Sequence, residues 1–201
     1  MKPLFITALL SCFYTPRRNS SRPGVWILFA SRLRKPKRFR LICFRPPPSD
    51  MGPSWLAHRL CGLPGDWIEI RNGILYVNNL DADKELDLIH IFKVNRSDSS
   101  AIRHNPKLAY TVPPYPDIVY LTLRDRTVRD DRLPCEQYVL PPGLRNESTF
   151  SIYKKNWNND NFGPVKVPPG SWFVLGDDRA HSIDSRHFGF IDHKKYVGTV
   201  L

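Results

Sequence analysis

Ala57–Asn79 reads AHRLCGLPGDWIEIRNGILYVNN. Two short apolar runs, WIEI (67–70) and ILYV (74–77), flank Arg71-Asn72-Gly73. An Asn-Gly pair between β-branched and apolar runs is the strongest local hairpin signal, because a tight two-residue turn needs positive φ at both central positions. The segment therefore predicts an antiparallel pair, preceded by a Gly62-Leu63-Pro64-Gly65-Asp66 turn. Working outward, similar runs recur: VWILF (25–29), FRLICF (39–44), LIHIFKV (88–94), IVYLTL (118–123), FSIY (150–153), WFVL (172–175) and KYVGTVL (195–201). Their length and composition predict strands, and helical periodicity is nearly absent after Arg18. The fold class expected is mainly β and antiparallel. Pro46–Pro48 and the proline-rich Pro113–Pro116 read as extended connectors. Residues 81–162 are polar and irregular and read as a subdomain inserted between a first half (19–80) and a second half (163–201).

The 201 residues carry 30 Lys and Arg against 19 Asp and Glu. Twelve of those cations but only one acid, Asp50, fall within residues 1–60, so the whole excess of positive charge lies in the first third. Such a stretch suits a solvated face or a surface meeting anionic lipid. With no aromatic-basic platform and no helix-turn-helix pattern, nucleic acid is not expected as a partner. Pro3–Tyr14 (PLFITALLSCFY) is uncharged and bounded by Lys2 and Arg17-Arg18. Twelve helical residues span about 18 Å, short of a hydrocarbon core of about 30 Å, so residues 1–18 read as a short anchor remnant. The four cysteines (Cys12, Cys43, Cys61, Cys135) show no metal-ligand spacing and select no disulfide pairing.

The second informative stretch is Gly176–Gly189, GDDRAHSIDSRHFG, which follows the apolar run WFVL. Its density of small, acidic and hydroxyl side chains suits a loop that hydrogen-bonds its own backbone. Together the two stretches are specific. RLCGLPGDWIEIRNGILYVNN followed by GDDRAHSIDSRHFGF resembles the bacterial type I signal peptidase family, with WNNDNFGPVKVPPGSWFVLGDD similar to the approach to its second motif. The resemblance covers roughly Arg38 to Leu201. It implies a β-sheet catalytic domain with an inserted β subdomain. It also implies a membrane-anchored serine endopeptidase of the inner (plasma) membrane, catalytic on its outer, periplasmic face. The substrates implied are exported preproteins cut at Ala-x-Ala-like junctions, with membrane phospholipid as a further partner and neither cofactor nor metal.

Within that resemblance His58 stands where the family usually has a Lys general base, and Arg59 follows as expected. Asp66 closes the turn. Asp177, Ser182, Asp184 and Arg186 match the second motif, while Asp178 replaces its usual Asn. The family's Ser at the place of Ser182 supports the base, and its Asp and Arg at the places of Asp184 and Arg186 are mainly structural. A Lys base must be desolvated to lose its proton, whereas free imidazole already titrates near pH 6.5, so His is chemically credible there. No intact copy of the family's nucleophile motif is present. Ser20-Ser21-Arg22-Pro23-Gly24-Val25 keeps the Ser and the Pro three residues later, which makes Ser20 the first candidate nucleophile, with Ser21 and Ser11 behind it. The reading expected is a Ser20/His58 signal peptidase. Its alternatives are a non-cutting paralogue in which His58 is an ordinary strand residue, and a peptidase of the conjugative-transfer type.

Overall fold

The computed structural model describes residues 35–47, 55–97 and 117–200 in full, and the backbone alone of residues 9–14, 26–31, 110–112 and 115–116. Ser20 and Ser21 lie outside the described residues. Ser11 lies on a strand of which only the backbone is described.

The strands in chain order are β1 (Leu9–Tyr14), β2 (Trp26–Ser31), β3 (Leu41–Phe44), β4 (Leu56–Gly62), β5 (Trp67–Arg71), β6 (Ile74–Val77), β7 (Leu80–Asp81), β8 (Ile89–Asn95), β9 (Tyr110–Val112), β10 (Tyr115–Arg124), β11 (Cys135–Gln137), β12 (Phe162–Lys166), β13 (Ser171–Leu175), β14 (Ile191–Asp192) and β15 (Tyr196–Val200). Among the described residues short α-helices join them, α1 (Asp125–Asp130), α2 (Glu147–Tyr153) and α3 (Ser185–Phe188), with a 3-10 turn at His193–Lys195. The fold is mainly β, and its sheets are antiparallel, as expected. One sheet runs β1-β2-β15-β3-β4-β13-β14, a second β12-β5-β6-β7, and a third β11-β8-β10-β9.

The predicted hairpin forms with Ile70 opposite Leu75 and Arg71 opposite Ile74. Asn72 and Gly73 take φ of 50° and 82°, the left-handed pair that a two-residue turn requires. A second turn of this kind, at Asn78-Asn79 (φ 52° and 65°), folds β7 back onto β6. Side chains alternate along β5 and β6, so Ile68, Ile70, Leu75 and Val77 point inward. They pack with Cys61, Phe162, Val167, Phe173 and Leu175 into one apolar cluster.

Strand β4 divides two cores. Leu60 faces Ile42, Phe44, Val174 and Ile191, while Cys61 belongs to the first cluster. Burial pushes the Cys61 thiol up to about 12, so it behaves as a small apolar side chain. The last residue of the strand is Gly62, where a Cβ would meet Ile68, Val167 and Phe173 at 2.8, 2.9 and 3.0 Å.

FSIY is corrected: Phe150–Tyr153 is the end of helix α2, not a strand. Four apolar or hydroxyl residues suit either state. The Asn146 side chain decides locally, accepting the backbone N–H of Thr149 at 3.1 Å and nucleating the turn. Among the described residues no helix is long and apolar enough to cross a membrane.

Candidate active site

The site forms where β4 passes the loop that follows β13. His58 and Leu60 share one face of β4, and Arg59 turns to the other. The 176–184 loop folds over this strand, and α3 anchors its far end.

Asp184 is the pivot of the loop. It is fully buried, and both of its oxygens are used. Oδ1 accepts from Arg186 Nε at 2.9 Å and from the Arg186 backbone N–H at 3.2 Å. Oδ2 accepts from Arg186 Nη2 at 2.8 Å and from the Gly176 backbone N–H at 3.1 Å. The Arg186 guanidinium, also buried, donates on to the carbonyls of Asn159 and Arg179, each at 3.2 Å. Burial alone would raise the carboxyl pKa. Arg186, by its charge and its hydrogen bonds, together with the nearby His58, holds it well below the usual carboxylate range. Asp184 also caps α3, and His187 completes the reciprocal capping pair in the place usually taken by Glu or Gln. Ser185 is equally inward. Its Oγ accepts from the Val174 backbone N–H at 2.9 Å, tying the loop to β13.

Arg59 reaches across the chain to Asp177 in a two-pronged pair, Nε to Oδ1 at 2.7 Å and Nη2 to Oδ2 at 2.5 Å. Its remaining Nη1 donates to the Phe39 carbonyl at 2.5 Å. Desolvation works against the Arg59 charge, but the Asp177 carboxylate more than compensates and raises its pKa. Asp178 accepts the backbone N–H groups of Ala180 and His181 at 3.2 and 3.0 Å. Those contacts need only an acceptor oxygen, so Asp serves there as Asn would.

His58 is buried on this wall with its ring 5.8 Å from that of Phe44. Nδ1 lies 2.8 Å from the carbonyl oxygen of Ala57, and Nε2 lies 3.0 Å from that of Ile183. Gly176 allows the loop to come this close. The point that a Cβ of residue 176 would occupy is 1.8 Å from Ser182 Oγ and 3.5 Å from His58 Cε1. Ser182 and the edge of the imidazole thus share a space that only glycine leaves open.

The sequence-predicted residues His58, Arg59, Asp177, Ser182, Asp184 and Arg186 are therefore brought together where β4 meets the 176–184 loop and α3. Asp66 has a different task. Its Oδ2 accepts from the Leu63 N–H and from Arg38, at 2.7 and 2.6 Å, and its Oδ1 from Asn78 at 2.9 Å. It knots the Gly-Leu-Pro-Gly-Asp turn to the β6–β7 turn and shapes the approach to β5.

Two contributions are not visible in the sequence. Arg179 and Asp83 form a buried ion pair (2.8 Å) that fastens the loop to the segment before β8. The Asp83 carboxyl is raised by burial, against the pull of Arg179 and the Leu75 N–H. The start of β8 is stitched to the same loop, with the Ile89 N–H donating to the Asp177 carbonyl and the Arg179 N–H to the Ile89 carbonyl, both at 2.9 Å.

Residues 4–201 match the family described as signal peptidase, peptidase S26. The chain belongs to this family. It is similar to signal peptidase I of Rickettsia typhi, 30% identical over 176 residues that cover 85% of this chain and 53% of that protein. It is also similar to signal peptidase I of Bacillus caldolyticus, 32% identical over 164 residues covering 82% and 59%. The chain thus spans little more than half the length of these relatives. A crystal structure of a signal peptidase I from Enterococcus faecalis V583 aligns with 84% of this chain and 98% of that one, at 23% identity and a TM-score of 0.42.

Proposed function

We propose that this signal peptidase family member is a membrane-associated serine endopeptidase that removes signal peptides from exported preproteins, with Ser20 as nucleophile and His58 as general base. The observation that carries the reading is the burial of His58 beside the Gly176–Asp184 loop, which Asp184–Arg186 and Arg59–Asp177 hold in place. Ser20 Oγ would attack the scissile carbonyl while its proton passes to His58. The imidazolium would then protonate the leaving amine, and water would release the acyl group by the same base. Ser182, at the place where the family's serine supports the base, would steady it. The substrates would be preproteins with Ala-x-Ala-like junctions. Phospholipid would be the surface on which the enzyme meets them, at the outer face of the inner membrane. Residues 81–162 would form an inserted subdomain between the two catalytic halves.

One observation favours a second reading, a paralogue that binds export substrates without cutting them. Both His58 ring nitrogens face carbonyl oxygens, so the one lone pair of the neutral ring points at a carbonyl and not at open space. Mass spectrometry of a preprotein with an Ala-x-Ala junction separates the two readings, using the full chain in detergent with phospholipid. The mature N-terminus is expected with the wild type and absent with Ser20→Ala. Cleavage that survives Ser20→Ala would remove Ser20 from the mechanism. No cleavage by the wild type, beside an active control peptidase, would favour the binding paralogue.

A further inference from the structure

The peptide unit joining Ile183 to Asp184 lies between two imidazoles. Its carbonyl oxygen is 3.0 Å from His58 Nε2, and its N–H donates to His187 Nδ1 at 3.3 Å. With the ring proton on its other nitrogen, Nε2, 2.9 Å from the acceptor Asn159 Oδ1, His187 accepts there through Nδ1. The orientation of this one peptide is therefore set by His187 and read by His58.

The two carbonyls that face His58 differ in freedom. Ala57 lies inside β4, paired with Cys43 of β3, so its carbonyl cannot move without opening the sheet. Ile183 lies in the loop and is 62% exposed to solvent. A neutral imidazole has one N–H to give. While the Ile183 carbonyl accepts a hydrogen bond from Nε2, that nitrogen holds the ring proton. Once the carbonyl turns aside, the proton can sit on Nδ1, facing the fixed Ala57 carbonyl, and leave Nε2 to receive a serine proton.

We propose that the Ile183–Asp184 peptide is a latch on His58, held shut by His187, which must turn aside before Nε2 can take a proton from the nucleophile. The proposal rests on the reading of His58 as the base. Weakening the latch raises the competent population without adding any contact to substrate. His187 is thus a positioning residue that acts on His58 through the backbone.

Two substitutions test it in the full chain with detergent and phospholipid. His187→Leu removes the acceptor, whereas His187→Gln keeps one at the position where Gln normally completes a capping pair. Releasing one hydrogen bond is expected to raise kcat by about threefold in His187→Leu with KM unchanged, and His187→Gln is expected to match the wild type. A merely structural His187 would only lower activity. Imidazole 15N spectra of His58 give a readout independent of cleavage. The ring-nitrogen signals should move in His187→Leu and return in His187→Gln. Should His187→Leu not fold, Asn159→Ala, which frees the His187 tautomer, should move the same signals in the same direction. Unchanged His58 signals in a folded His187→Leu, or a fall in its kcat, would overturn the latch. Absence of cleavage by every form would overturn the peptidase reading, while the spectra still decide the latch.

Discussion

Two two-pronged ion pairs flank His58, and they differ in what water can reach. Asp184–Arg186 joins residues two apart in one loop, with side chains 0% and 1% exposed. Arg59–Asp177 joins residues 118 apart, with side chains 17% and 28% exposed. The dry pair has every polar atom of its carboxylate spoken for and sets the shape of the loop. The wetter pair ties that finished loop to strand β4. A buried charge whose partner is removed costs far more than the pair itself contributes, whereas solvent screens the loss of an exposed partner.

The comparison breaks most visibly at Asp184. Asp184→Asn leaves the buried Arg186 guanidinium without its counter-charge and should lower unfolding stability by about 3–5 kcal/mol, read by urea denaturation. The same pair gives the wild type an acid limb. Because the Asp184 pKa in the folded protein lies below its unfolded value, its stabilisation is complete above about pH 4 and is lost as pH falls further. Asp184→Asn should flatten that part of the stability profile. An equally steep limb in the variant would assign acid sensitivity to other carboxylates.

A middle-sized effect is expected where loop and strand touch. Gly176→Ala places a methyl group 1.8 Å from the present position of Ser182 Oγ, so Ser182 must be displaced. The strain should cost about 1–3 kcal/mol and lower cleavage through the displaced Ser182, with thermal denaturation and kcat read side by side. The smallest loss belongs to the wetter pair. Asp177→Asn should reduce stability by no more than about 1 kcal/mol. A loss as large as that of Asp184→Asn would show that water does not screen the outer pair and would erase the distinction.

Much of this was legible where the determining chemistry is local. Asn72-Gly73 specifies its own turn, and the alternation of WIEI and ILYV specifies which face is inward, so the hairpin and sheet class follow directly. The clustering of His58, Arg59, Ser182, Asp184 and Arg186 follows from two motifs whose order resembles a known family. FSIY was misread because its four residues have no decisive preference and the deciding contact comes from Asn146, outside the run. Arg179 with Asp83 was illegible for another reason: the partners are 96 residues apart and meet only after β8 docks on the loop. The part played by His187 depends on the orientation of a single peptide, and no side-chain pattern encodes that.

The central proposal is that His58 does here the work that the family resemblance assigns to a lysine. The direct measurement is kcat/KM for cleavage of an Ala-x-Ala preprotein by the wild type and by His58→Ala, with folding of both checked by circular dichroism. The account predicts an active wild type and a loss of at least about 100-fold in the variant, as removal of a general base entails. A folded His58→Ala that cleaves at the wild-type rate would contradict it.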